Sequence, residues 1–158
     1  MLICFFTAVA YTIAVESVEF AIRQSNFLMA KQDTKCKFGV VDRVTKNYAP
    51  DLIARQVAYK INNDWIKSQT LFAPIDLVGH NFVLAAKFKP DAELTSQQQA
   101  QFAPWARQIY CSDSDPIWLA ARQINYQFLF VVYRDDAVLH QQLISPKDCP
   151  TWPSPPGR

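Results

Sequence analysis

Any chemistry in this 158-residue chain would have to rest on two histidines, four cysteines and a few paired acids. His80 sits in "LVGHNF" and His140 in "AVLHQQ", in segments of different character. A zinc site with three protein ligands would need carboxylates or cysteines to join them, and no such spacing is present. There is no G-x-S-x-G elbow to expose a nucleophilic serine. None of Cys4, Cys36, Cys111 and Cys149 lies in a C-x-x-C pair, which removes the thioredoxin-like and zinc-ribbon readings. A Cys–His nucleophile would have to use Cys36, whose neighbours Lys35 and Lys37 would favour its thiolate. "CSDSDP" and Asp135-Asp136 are too sparse in oxygen ligands for calcium; helix capping by Asp115 and a solvated turn account for them. Three glycines leave no material for a phosphate-cradling loop or a dinucleotide fingerprint. The sequence therefore assigns no catalytic, cofactor-binding or metal-ligating residue and no cofactor.

Bulk properties narrow the partners. Half the residues are apolar and 19% are charged, the balance of a folded globular chain. The net charge of +2 is scattered along the sequence, without the basic stripe that nucleic acid would require, so no nucleic-acid partner is expected.

Residues 1–31 begin with "MLICFFTAVAYTIAV", fourteen uncharged and mostly apolar residues after Met1. That length suits the core of an export signal better than a membrane span of about 20 residues. No positive charge precedes the run, and Arg23, Lys31, Lys35 and Lys37 follow it, so a membrane anchor and a buried helix stay open. Membrane contact, if any, would come through this segment alone.

Residues 32–46 are polar and read as a connector. In 47–149 the spacing predicts a helix over "YAPDLIARQVAYKINNDW", with Pro50 in its first turn and Ile53, Val57, Ile61 and Trp65 on one face. A hairpin then turns at Gly79-His80, pairing Leu77 with Phe82 and Ala73 with Ala86. Thr95 and Gln98 form a capping-box pattern, Pro104 should divide the following helix, and Asp115-Pro116 starts another. A second hairpin turns at Asp135-Asp136. Ile124, Tyr126, Phe128, Phe130 and Val132 make its core face, and Leu139 and Leu143 of the second strand share that face. Gln141 falls there too, a flaw that a bulge near His140 would repair. The order αββαββ predicts an α+β fold, a four-stranded antiparallel sheet with helices packed on one face. Cys111 and Cys149 bracket the second αββ unit and are the natural disulfide in an oxidising compartment; otherwise they are two thiols. Residues 150–158 hold four prolines and form an extended tail.

From residue 45 to 149 the chain resembles a group of small exported bacterial proteins of unknown function. The resemblance is carried by "YAPDLIARQVAYKINN", "NFVLAAKFKP" and "CSDSDPIWLAARQINYQFLFVVYRDDAVLHQQLISPKDC". It implies export and a disulfide-tied α+β domain, and it transfers no catalytic residue. The chain departs from the group at Arg122-Gln123, where a glycine commonly precedes the strand, and at its Asp-Asp hairpin turn.

The second faces of the two hairpins are more apolar than a free sheet face should be. Phe72, Val83, Leu129, Val131 and Tyr133, together with Trp152 between tail prolines, are the candidate partner-binding residues. The expected function is a non-enzymatic bacterial envelope protein that binds another protein, as an immunity or assembly accessory factor in the periplasm or secreted. The alternatives are a small periplasmic hydrolase and an inner-membrane-anchored subunit of an envelope complex.

Overall fold

The computed structural model describes residues 34–112 and 115–150. The expectations for the apolar segment 1–31 and for Trp152 in the tail lie outside them.

The first described element is a helix, α1 (Thr34–Asn47), where the polar composition predicts a connector. Val41 and Val44, one turn apart, are buried, and Thr45 Oγ1 donates to Gln123 Oε1 at 2.7 Å. Lys35, Lys37, Asp42, Arg43, Lys46 and Asn47 outnumber Phe38, Val40, Val41 and Val44 in this stretch, so its apolar stripe reads weakly in sequence.

Helix α2 (Pro50–Asp64) follows the expected period, burying Ile53, Val57 and Ile61 with Ala54 and Ala58 beside them. Pro50 occupies its first turn, where a missing N–H costs nothing. Asn62 clamps the helix to Ile75. Its Nδ2 donates to the Ile75 carbonyl at 3.0 Å, and its Oδ1 accepts from the Ile75 N–H at 2.6 Å.

Strands β1 (Asp76–Val78) and β2 (Asn81–Phe88) form the first hairpin with the expected register, Leu77 opposite Phe82. The register slips by one beyond it, where Phe72 rather than Ala73 bridges Ala86. Pro74 lies in the slipped segment and has no N–H for a ladder. The slip turns Phe72 to the helix side of the sheet.

The crossover has three helices, α3 (Ser96–Ala100), α4 (Phe102–Cys111) and α5 (Pro116–Gln123). The capping box forms: Thr95 Oγ1 accepts from the Gln98 N–H, and Gln98 Oε1 accepts from the Thr95 N–H at 2.9 Å. The helix divides at Gln101, leaving Pro104 in the first turn of α4. Asp115 Oδ1 caps α5 by accepting from the Ile117 N–H at 2.8 Å.

Strands β3 (Gln127–Arg134) and β4 (Ala137–Ile144) close the second hairpin with Arg134 opposite Ala137. The register shifts beside His140, as the interrupted alternation predicts: Val132 pairs with His140 while Tyr133 pairs with Val138, leaving Leu139 as the bulge. Past the bulge, Gln142 and Ile144 share the core side and Leu143 turns outward, contrary to the expected core position of Leu143.

The sheet order is β1-β2-β3-β4, and it is mixed. An all-antiparallel sheet is the expectation; the central pair β2–β3 is instead parallel, running from Asn81 opposite Gln127 to Phe88 opposite Arg134. A crossover holding three helices is long enough to carry the chain back to the starting edge, which a parallel pair requires. On the helix side Phe82, Phe128 and Ile144 form one row, and Leu84 and Phe130 begin the next; all five are fully or almost fully buried. These pack with α2, α4 and α5 into one core, in which Phe128 lies 5.0 Å from Trp118 and 5.7 Å from Tyr110 between ring centroids. The α+β class stands as expected.

Candidate functional site

Cys111 and Cys149 form the disulfide, with Cα atoms 5.1 Å apart. It joins the end of α4 to the turn after β4, and two further contacts hold the same junction. Arg107, one helical turn before Cys111, donates to the Asp148 carbonyl. Asp148 in turn accepts from the Ser145 N–H at 2.7 Å and the Ser145 hydroxyl at 2.8 Å, which lowers its carboxyl below the ordinary value of 3.8.

Arg122 is buried and donates to the carbonyls of Tyr110 and Ser112. It satisfies carbonyls that the end of α4 leaves without intrahelical partners. The turn between α5 and β3 uses a left-handed residue, Asn125, at φ +61°, a conformation asparagine tolerates.

The two histidines are kept apart. The His80 carbonyl accepts from the Gln127 N–H, and His140 pairs with Val132, five residues further along β3, or roughly 17 Å at strand rise. His80 is exposed in its turn, edge-on to Tyr126; His140 packs against Phe102 and Phe130. Among the described residues no group of three His, Cys, Asp or Glu side chains is placed to hold a metal ion. No described helix is long and apolar enough to cross a membrane. The side chain of Cys36 and Asp113 lie outside what is described.

Of the partner-binding candidates, Val83, Leu129, Val131 and Tyr133 do share the second face of the sheet. Register places Val83, Leu129 and Leu143 in one row, Ala85, Val131 and Gln141 in the next, and Lys87, Tyr133 and Val138 in a third. Phe72 does not belong there: it stacks on Trp105 at 5.4 Å within the helix layer and also touches Trp65 at 5.2 Å. The sequence reading missed three members of this face. Val78 is 57% exposed, and Val138 and Leu143 are each 52% exposed. The bulge at Leu139 puts Val138 and Leu143 on one side despite their odd spacing, a signal that strict alternation hides.

Two concavities open on the helix layer. A groove of about 680 Å³ runs between the end of α2 and the outer sides of α4 and α5, lined by Trp65, Trp105, Ile109 and Trp118 with Lys60, Asp64, Gln108 and Asp115 around them. A smaller cavity of about 340 Å³ lies beneath α3 and α4 against Phe72, Phe88, Phe102 and Phe130. Trp105 is the wall they share, and no histidine lines either one.

No protein family, curated protein or solved structure matches the chain.

Proposed function

We propose that the chain is a non-enzymatic protein of the bacterial envelope, periplasmic or secreted, that works by docking another protein on the second face of its sheet. One observation carries the reading. Val78, Val138 and Leu143 are more than half exposed on a face whose neighbouring positions, Val83, Leu129, Val131 and Tyr133, are also apolar. Single exposed apolar residues are ordinary on a protein surface. Here Leu143 lies beside Leu129 and Val83 in one row and Val138 beside Tyr133 in another, with Val131 buried between the rows. Such an apolar set over three strands marks an interaction face. Asp76 and Lys87 stand at opposite ends of it, opposite charges that would orient a partner. The Cys111–Cys149 bridge supports an oxidising compartment. An immunity or assembly accessory factor fits these properties. The hydrolase alternative draws no support from the two concavities, since neither holds a histidine.

The test is a double substitution at exposed positions, Val138→Asp with Leu143→Asp, in protein cross-linked in a bacterial periplasm. The parent chain should retain a specific partner and the variant should lose it, with melting temperatures within a few degrees of each other. Undiminished retention by a folded variant would sink the reading.

A further inference from the structure

We propose that the groove between α2 and α4 is a recognition site for proline-rich segments bearing a tryptophan, and that its built-in occupant is this chain's own tail, residues 151–158. The site is separate from the second face of the sheet, so the two readings fail independently.

The groove has the chemistry that such segments require. Polyproline stretches dock between aromatic rings, because their preformed extended helix loses little entropy and the flat rings pack against proline. Trp65 and Trp105 are both only partly buried and lie 6.4 Å apart between centroids, at 36° to one another. The rings are positioned from behind: Trp105 is held by the stacked Phe72 on one side and by Phe130 at 5.2 Å on another.

The occupant is identified by where the chain leaves the structure. Cys149 is bonded to Cys111, and Ser112, the next residue along, lines the groove. Pro150 therefore departs at the groove's mouth. Trp105 and Ser112 are separated by about 10 Å at helical rise. Three residues beyond Cys149 span about the same distance when extended, which brings Trp152 level with the groove. The eight residues 151–158 would reach about 25 Å as polyproline, more than twice that distance. The tail sequence "TWPSPPGR" carries no acid, and within the groove Asp64 pairs with Lys60 and Asp115 caps α5, so the seat it meets is aromatic rather than ionic.

Tethering makes the tail a strong competitor. A short linker holds it near the groove at an effective concentration in the millimolar range, so a segment supplied from outside must displace it.

The experiment uses the full chain and its Trp152→Ala form, with a fluorescein-labelled peptide of residues 150–158 followed by anisotropy. The peptide should bind the Trp152→Ala chain about tenfold more tightly than the parent, whose own tail is already seated. A nitroxide on the peptide should broaden the indole N–H resonances of Trp65 and Trp105. Failure to bind the Trp152→Ala chain, equal binding to both chains, or broadening centred on Val138 and Leu143 would each overturn the proposal.

Discussion

The Tyr126 hydroxyl donates to Asp51 Oδ1 at 2.6 Å, tying the residue that enters β3 to the first turn of α2. The Tyr126 backbone carbonyl accepts from the buried Tyr110 hydroxyl, so one residue joins α2, α4 and the sheet. Burial, then the hydrogen bond to Asp51, pushes the Tyr126 phenol up from 10.0 to about 12. Below pH 10 both folded and unfolded chains keep this proton, and stability is level. Between pH 10 and about 12 the unfolded chain loses it first, so stability falls as pH rises. Tyr126→Phe should cost about 1 kcal/mol at neutral pH and flatten part of that alkaline decline. Urea midpoints at pH 8, 10 and 11 measure both effects; an unchanged alkaline slope in the variant would refute the assignment.

Burial also holds the Tyr110 phenol well above its ordinary value, and its ring lies 5.9 Å beneath the Arg122 guanidinium. Replacing Arg122 by Met should cost about 2–3 kcal/mol, because the buried Tyr110 carbonyl and the part-buried Ser112 carbonyl would both lose the guanidinium donor. Lysine cannot reproduce the fork, so Arg122→Lys should recover less than half of the loss. Full recovery by lysine would show that charge, not geometry, matters there.

The disulfide closes a separation of 38 residues, which in the chain-entropy treatment stabilises the fold by about 4 kcal/mol. Arg107 grips the same junction through Asp148. In the oxidised protein Arg107→Ala should cost less than about 1 kcal/mol, the usual net value of one hydrogen bond. After reduction the arginine becomes the main tie between α4 and the turn after β4, and the same substitution should cost more. Denaturation of both proteins with and without reductant tests this; equal costs in the two states would show that the ties are independent.

Both hairpin turns place a left-handed residue first, Gly79 at φ +59° and Asp135 at φ +56°. Glycine adopts this conformation freely and aspartate does so under strain. Asp135→Gly should therefore raise stability by roughly 0.5 kcal/mol, and Gly79→Ala should lower it by roughly 1 kcal/mol. A Cβ at Gly79 meets no atom within 4 Å, so the second effect would come from the backbone alone. Shifts of the opposite sign in thermal melts would overturn the account of these turns.

The local features were readable because local rules determine them. A two-residue turn fixes the register of its hairpin, hence Leu77 opposite Phe82 and Arg134 opposite Ala137. The flaw at Gln141 in strict alternation announced the bulge beside His140. The parallel pairing of β2 with β3 was not read, since it depends on how one hairpin docks against the other. Yet a clue lay in "FLFVV", residues 128–132, where both faces are apolar as in a strand at the centre of a parallel pair. Phe72 went to the wrong face because the slip near Pro74 interrupts the alternation. The Trp65–Trp105 groove had no sequence signature at all: those residues are forty positions apart and meet only when α2 packs beside α4.

The parallel central pair has a consequence for how the protein is made. A nascent chain emerges amino end first, so β2 must wait for the whole helical crossover before β3 reaches it. Until then Phe82 and Leu84 lack β3 and the cover of α4 and α5, and the first hairpin by itself cannot form a stable sheet. Folding is thereby postponed until late in synthesis. The Cys111–Cys149 bond likewise closes only after the delay has ended, since its second sulfur follows the last strand.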